Sequence, residues 1–191
     1  MPVGWIDKDR LMNREAKDWL SVGGNVMQQH YSPLDKINRS NVSELGFAWE
    51  YDARNTIGRI PKGLEATPIV VDGIMFTSGA WGFVYALDAK TGKELWKYDP
   101  KVDATYLRRA CCDAVNRGVA VWMGKVYVGT LDGYLVCLDA KNGAEIWRKD
   151  TFTDRTKAYT ITSPPQVAGS IVMIGNSGGE YGVRGYITAY D

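Results

Sequence analysis

Four short stretches hold the residues best suited to chemistry. Cys111 and Cys112 are adjacent. Across a trans peptide their Cα atoms lie about 3.8 Å apart, below the roughly 4.4–6.8 Å usual for a disulfide. A bridge there must distort its surroundings and reduce easily, so spacing alone favours free thiols or unrelated buried cysteines. Glu65 stands in Gly63-Leu-Glu-Ala-Thr-Pro68, at the start of an expected strand, where a side chain can point into a central channel. Taken alone, an exposed loop carboxylate is the plainer reading. Arg117, in Asp113-Ala-Val-Asn-Arg-Gly118, stands just before another strand. Its planar fork bonds both oxygens of a carboxylate; the plainer reading is a surface ion pair. In Asn176-Ser-Gly-Gly-Glu-Tyr-Gly-Val-Arg-Gly185, glycines let a ligand approach the backbone, and Glu180 offers a hard oxygen donor suited to Ca²⁺. A glycine-rich hairpin is the alternative.

Other chemistries lack their residues. His30 is the single histidine and lies in a polar stretch, so neither a zinc spacing nor a Ser-His-Asp triad is supported. No glycine loop opens a helix as a nucleotide site requires. Cys137, in Tyr134-Leu-Val-Cys-Leu138, reads as a small buried hydrophobe.

Composition narrows the class further. The 191 residues carry 23 basic and 22 acidic side chains, a net charge of +1, which argues against a nucleic-acid surface. No apolar run approaches the roughly 18–20 residues of a transmembrane segment. Asp7, Lys8, Asp9, Arg10, Arg14, Glu15, Lys17 and Asp18 leave no apolar core for a signal peptide near Met1. The 21 glycines sit mostly between apolar runs, as in turn-rich β-structure.

These residues need elements to position them. Asp9 to Leu20 lacks Gly and Pro and is expected to be helical, stopped by Gly23-Gly24. Ser32-Pro33 breaks the polar stretch that follows, and Asn41 to Glu44 can open one short helical turn. From Leu45 the period becomes that of strands. Ala86-Leu-Asp-Ala-Lys-Thr-Gly-Lys-Glu-Leu-Trp96 recurs as Cys137-Leu-Asp-Ala-Lys-Asn-Gly-Ala-Glu-Ile-Trp147, at an offset of 51 residues, and a third copy opens at Ala189-Tyr-Asp191. Trp49 is read as the end of a degenerate earlier copy. This period suits propeller blades of four strands.

The first unit parses as strands over 67–71, 74–78, 83–88 and 94–98, and the second as 118–122, 126–130, 134–139 and 145–149. Asp72-Gly73, Thr91-Gly92, Asp132-Gly133 and Asn142-Gly143 supply the turns. Asp88 and Asp139 are expected to bond turn backbone, and Trp96 and Trp147 to dock one blade onto the next. The expected layout is a helical lead-in over 1–44, a first blade region over 45–99, a second complete repeat over 117–150 and an incomplete third over 160–191.

The chain resembles PQQ-dependent (quinoprotein) alcohol dehydrogenases along essentially its whole length. Trp19-Leu-Ser, Ser32-Pro-Leu, Leu64-Glu-Ala-Thr-Pro68, Cys111-Cys-Asp-Ala-Val-Asn-Arg-Gly118, the two tryptophan repeats and Gly182-Val-Arg-Gly185 carry the resemblance. It implies an all-β fold: a partial β-propeller, the first blades of an eight-bladed propeller with four-stranded blades. It implies that Cys111 and Cys112 form a disulfide ring stacked on pyrroloquinoline quinone (PQQ). Glu65, Arg117 and Thr162 would bond its carboxylates and ring oxygens. Ser177, Gly178 and Gly179 would line its edge, and Glu180 would ligate Ca²⁺, with a lanthanide as the alternative metal. The activity implied is oxidation of a small alcohol to an aldehyde, with electrons passed to a cytochrome c or similar acceptor in the periplasm.

The family's catalytic aspartate, and any haem c domain, are expected downstream of Asp191 together with the remaining blades. The chain is therefore expected to be a fragment, inactive alone. The competing expectation is a non-catalytic propeller scaffold of the outer-membrane assembly lipoprotein type, which the tryptophan repeats fit equally.

Overall fold

Two-residue turns set the architecture. A computed structural model describes residues 2–53 and 63–191, so part of the first blade region expected over 45–99 lies outside the described residues. Strand β1 (Ile69–Val71) pairs antiparallel with β2 (Ile74–Ser78) through Asp72-Gly73, with φ of 53° and 75°. Positive φ at both central positions makes a type I′ turn, whose twist matches the strands it joins. β3 (Val84–Asp88) and β4 (Glu94–Tyr98) complete an antiparallel sheet in the order β1-β2-β3-β4.

A second sheet repeats the plan with β5 (Ala120–Trp122), β6 (Lys125–Gly129), β7 (Tyr134–Asp139) and β8 (Glu145–Asp150). Its first hairpin turns at Met123-Gly124, again with two positive φ values. β9 (Gln166–Ala168), β10 (Ile171–Gly175) and β11 (Ile187–Tyr190) form a third sheet, of three strands among the described residues. The chain is all-β with short helical pieces, a partial propeller. No helix among the described residues is long and apolar enough to cross a membrane.

The faces of neighbouring sheets supply the core. Val84 and Ala86 of β3 join Val126 and Val128 of β6 and Val136 and Leu138 of β7 in one buried cluster. Tyr127, Leu135 and Cys137 join Val172 and Ile174 in another. Strands covered on both faces read as near-continuous apolar runs, which is why Tyr134-Leu-Val-Cys-Leu138 hardly alternates. Burial pushes the Cys137 thiol up to about 11 and makes it a poor nucleophile.

The repeated residues hold the sheets together. Asp88 accepts hydrogen bonds from the Lys90 and Thr91 amides, and Asp139 from those of Lys141 and Asn142. The Trp96 ring lies over Gly143, and its Nε1 donates to the Ala140 carbonyl at 3.0 Å. Trp49 lies over Gly92 in the same way, as the degenerate earlier copy requires. A second element of the contact was not expected: the Tyr51 hydroxyl bonds Glu94 and the Tyr98 hydroxyl bonds Glu145. The unit is thus Trp-x-Tyr on one side clasping Gly-x-Glu on the next.

The N-terminal lead-in departs from expectation. Helix α1 covers Lys8–Met12 only, capped by the Asp7 carboxylate on the Arg10 amide. Asp9 to Leu20 was expected to be helical throughout, but tertiary bonds claim its second half. Asp18 is buried against the Arg10 guanidinium at 2.8 Å, Trp19 exchanges two backbone bonds with Val70, and Leu20 enters the core. Those interactions outweigh a weak helical preference. A 3-10 turn does form over Val42–Glu44, yet the Asn41 side chain accepts from the Asn38 amide instead of capping it.

Candidate functional site

Strands β1, β5 and β9 are the first strands of the three sheets, and polar residues stand in the segments that lead into them. Glu65 precedes β1, Arg117 precedes β5, Thr162 precedes β9, and Ser177 follows β10. Arg117 joins them. Its Nη2 lies 3.0 Å from Glu65 Oε2 and its Nη1 donates to Thr162 Oγ1 at 2.6 Å. Thr162 Oγ1 is 3.4 Å from Ser177 Oγ. The four residues form one chain of contacts across three sheets.

Backbone bonds fix the arrangement. The Arg117 amide donates to the Thr162 carbonyl at 2.9 Å, and the Arg117 carbonyl accepts from Thr67 at 3.4 Å. The Ser177 amide donates to the Thr160 carbonyl at 2.7 Å. Arg117 and Glu65 nevertheless leave about two-fifths of their side chains exposed, at 40% and 41%. An exposed ion pair contributes only about 0–1 kcal/mol to stability. Here it orients the guanidinium while leaving part of it accessible.

Asn116, within Asp113-Ala-Val-Asn-Arg-Gly118, has no role that its place in the sequence reveals. Its buried amide donates to the Gly129 carbonyl at 2.8 Å, and its oxygen accepts from Ser78 Oγ at 2.6 Å and from the Gly118 amide at 3.1 Å. It ties the segment carrying Arg117 to the ends of β2 and β6. A buried amide left without these partners would cost about 1–3 kcal/mol. An Asn directly before a candidate Arg in a strand lead-in was the signal.

Cys111 and Cys112 are joined by a disulfide and are exposed. They follow a 3-10 helix over Ala104–Arg109 in the long β4–β5 connection. Asp113 turns the chain with φ +73°, and the Ala114 carbonyl accepts from the Trp81 amide at 2.8 Å. A paired Cys–Cys presents a polarizable surface that does not ionise.

The glycine-rich loop splits into two parts. Gly178, with φ +125°, packs so closely on the Ala158 carbonyl and Val183 that a Cβ would collide with both. Gly179 has open space around it, and Glu180 is exposed on a 3-10 turn over Gly179–Tyr181. Among the described residues, no hydrogen bond or ion pair links Glu180 or the disulfide to the Arg117 chain of contacts. Nor does any group of three or more His, Cys, Asp or Glu side chains gather there in a way that could hold a metal. Glu180 alone gives one ligand, where Ca²⁺ takes about 6–8 oxygens.

Comparison with known proteins gives a consistent result. The family model described as PQQ: glucose/ethanol/alcohol dehydrogenase, beta-propeller domain, matches residues 19–191. The sequence is 53% identical over 188 residues to quinohemoprotein alcohol dehydrogenase ADH-IIG of Pseudomonas putida, covering 97% of this chain and 26% of that protein. It is 51% identical over 174 residues to 1-butanol dehydrogenase (cytochrome c) of Thauera butanivorans, covering 91% of this chain and 24% of the relative. The solved structure of ADHIIG from Pseudomonas putida HK5 superposes with a TM-score of 0.94 at 50% identity, over 100% of this chain and 28% of that one. A europium-containing methanol dehydrogenase superposes with a TM-score of 0.86 at 40% identity, over 96% of this chain and 32% of that one. The chain spans about a quarter of the length of the curated relatives.

Proposed function

The chain belongs to the glucose/ethanol/alcohol dehydrogenase β-propeller family of PQQ proteins, and on that premise we propose that it forms one side of the PQQ site of a quinoprotein alcohol dehydrogenase. The single observation that carries the reading is the Arg117 guanidinium, held by Glu65 and Thr162 across three sheets and still partly exposed.

The residues suit the group. PQQ is a flat tricarboxylate, and a pre-oriented guanidinium is the side chain that best bonds carboxylate oxygens in pairs. The Thr162 hydroxyl accepts from Arg117 and can donate onward, and the Ser177 hydroxyl stands beside it. Gly178 lets the loop pack against the Ala158 carbonyl, and Gly179 leaves open space around it. The exposed Cys111–Cys112 disulfide offers a face on which a planar ring system can lie. When bound, PQQ supplies the two-electron redox chemistry of alcohol oxidation.

In this reading Arg117 fixes the ligand's position, with Glu65 preventing it from swinging away. Glu180 contributes one carboxylate to a Ca²⁺ or lanthanide site that residues beyond this chain complete. The metal's part is to polarise a carbonyl as a Lewis acid. The substrate is a small alcohol, which loses two electrons and two protons to become an aldehyde. The electrons pass on to a cytochrome. The related 1-butanol dehydrogenase names cytochrome c as its partner and the europium-containing enzyme names its metal, and both suit the proposal. An oxidising compartment such as the periplasm favours the Cys111–Cys112 bond.

The test is PQQ binding to the polypeptide that carries this sequence, with Arg117→Ala beside the wild type. Losing hydrogen bonds from a charged group, worth about 1.5–3 kcal/mol each, should weaken PQQ by about tenfold or more. Wild-type protein that binds no PQQ and gives no alcohol-dependent dye reduction with it would overturn the reading and favour a scaffold.

A further inference from the structure

We infer that Arg109 is the positioning residue that fixes the Cys111–Cys112 loop relative to the segment bearing Thr162. The inference rests on the PQQ reading for its purpose, but not for its geometry.

The exposed disulfide must be held by its flanks. On the C-terminal side the Ala114 carbonyl bonds Trp81, and buried Asn116 anchors the segment. On the N-terminal side the comparable anchor is Arg109, two residues before Cys111. Its Nη1 donates to the carbonyls of Arg155 and Lys157, at 2.8 and 2.9 Å. Its guanidinium lies 4.7 Å from the centre of the Tyr106 ring. Tyr106 is buried, and its hydroxyl accepts from Arg155, whose Nε pairs with Asp150 at 2.7 Å.

The segment that Arg109 grips is the one that carries the site. From Lys157 the chain runs through Ala158, whose carbonyl abuts Gly178, to Thr160, which bridges Ser177, and on to Thr162, which bonds Arg117. Arg109 therefore ties the disulfide loop to the strand lead-in that bears Thr162. Without it, the Tyr106–Arg155 bond is left to join the two segments, and the loop can shift relative to the floor of the site. A displacement of about 1 Å is enough to damage a pre-organised site. Lysine cannot replace the arginine, because a point charge on a flexible stem does not hold two carbonyls and an aromatic face at once.

The experiment compares wild type, Arg109→Lys, Arg109→Met and Tyr98→Phe in the polypeptide that carries this sequence. Tyr98 serves as control because it belongs to the clasp between the first two sheets, away from the site. One readout is independent of PQQ: the rate at which dithiothreitol reduces Cys111–Cys112, followed by trapping the thiols and mass measurement. Reduction needs the attacking thiolate to line up with the S–S bond, and a loosened loop allows that more readily. Arg109→Lys keeps the charge, so a faster rate there reports geometry rather than electrostatics.

Reduction is expected to be several-fold faster in both Arg109 variants and unchanged in Tyr98→Phe, although all three melt lower. PQQ affinity is expected to fall by about tenfold in the Arg109 variants and to stay level in Tyr98→Phe. Wild-type rates of reduction in both Arg109 variants would overturn the inference, as would Tyr98→Phe accelerating equally. If the wild type binds no PQQ, the proposed function fails, while the reduction rates still decide whether Arg109 holds the loop.

Discussion

Replacing Gly143 by Ala isolates the contact that joins one sheet to the next. Gly143 has φ +72°, and a Cβ there would stand 2.6 Å from Trp96 Cε3 and 2.8 Å from Cδ2. Two costs combine. A left-handed conformation costs an L-residue about 1–2 kcal/mol. Forcing the ring aside adds an overpacking cost of about 1–3 kcal/mol, since Trp96 is 8% exposed and its Nε1 is bonded to Ala140. Gly73 separates the two: its φ is +75°, but an added Cβ would meet nothing within 4 Å. Gly73→Ala should therefore carry only the backbone cost, and Gly143→Ala about 2 kcal/mol more. At about 2–4 °C per kcal/mol for a chain of this size, the two melting temperatures should differ by about 4–8 °C. Differential scanning calorimetry of the two variants measures this. A double variant with Trp96→Ala sharpens the result, because residues in contact are not additive: once the ring is gone, Gly143→Ala should cost no more than Gly73→Ala. Equal melting of the two single variants, or full additivity in the double, would refute the view that Trp96 docks on Gly143.

Thiol counting in denaturant should find one free thiol, Cys137, without reductant and three after reduction; three at the outset would remove the disulfide from the site. Melting temperature should be level between about pH 5 and 9 and fall on either side. The Arg10 guanidinium holds Asp72, and Arg148 holds Glu145, below their ordinary 3.8 and 4.5, so their contribution is present above those values and is lost as pH falls below them through the depressed folded-state range. Burial raises Cys137 to about 11 and Tyr85 to about 12, above their ordinary 9.0 and 10.0, so their contribution is lost as pH rises past those values. A pH titration of the melting curve that stays flat down to pH 3 would contradict the acid limb. Glu180→Gln should lower retained metal and activity together in the PQQ-loaded enzyme, and unchanged metal content by elemental analysis would remove Glu180 from the metal site.

What a residue does with its near neighbours was legible in the sequence. Asp88 and Asp139 bond amides two and three residues on, Gly92 and Gly143 take positive φ, and apolar runs of five or six residues become strands. A 51-residue repeat then implies a blade-like stack, because sheets with two apolar faces must bury both. Apart from Asn41, which turns to Asn38 three residues away, the departures involve partners further along the chain. Asp9 to Leu20 has nothing local against a helix, and loses its second half because Asp18, Trp19 and Leu20 bond and pack elsewhere. Met123 takes a left-handed φ in a hairpin turn because the strands on either side set the twist, though nothing in its type favours it. The site shows the same division. Its residue types stood out, but that Glu65, Arg117, Thr162 and Ser177 meet, and that Arg109 reaches across to residues 155 and 157, depends on how consecutive sheets lie side by side. Spacing along a chain carries no record of that, since the distances between these residues are set by packing of sheet faces rather than by the turns that connect them.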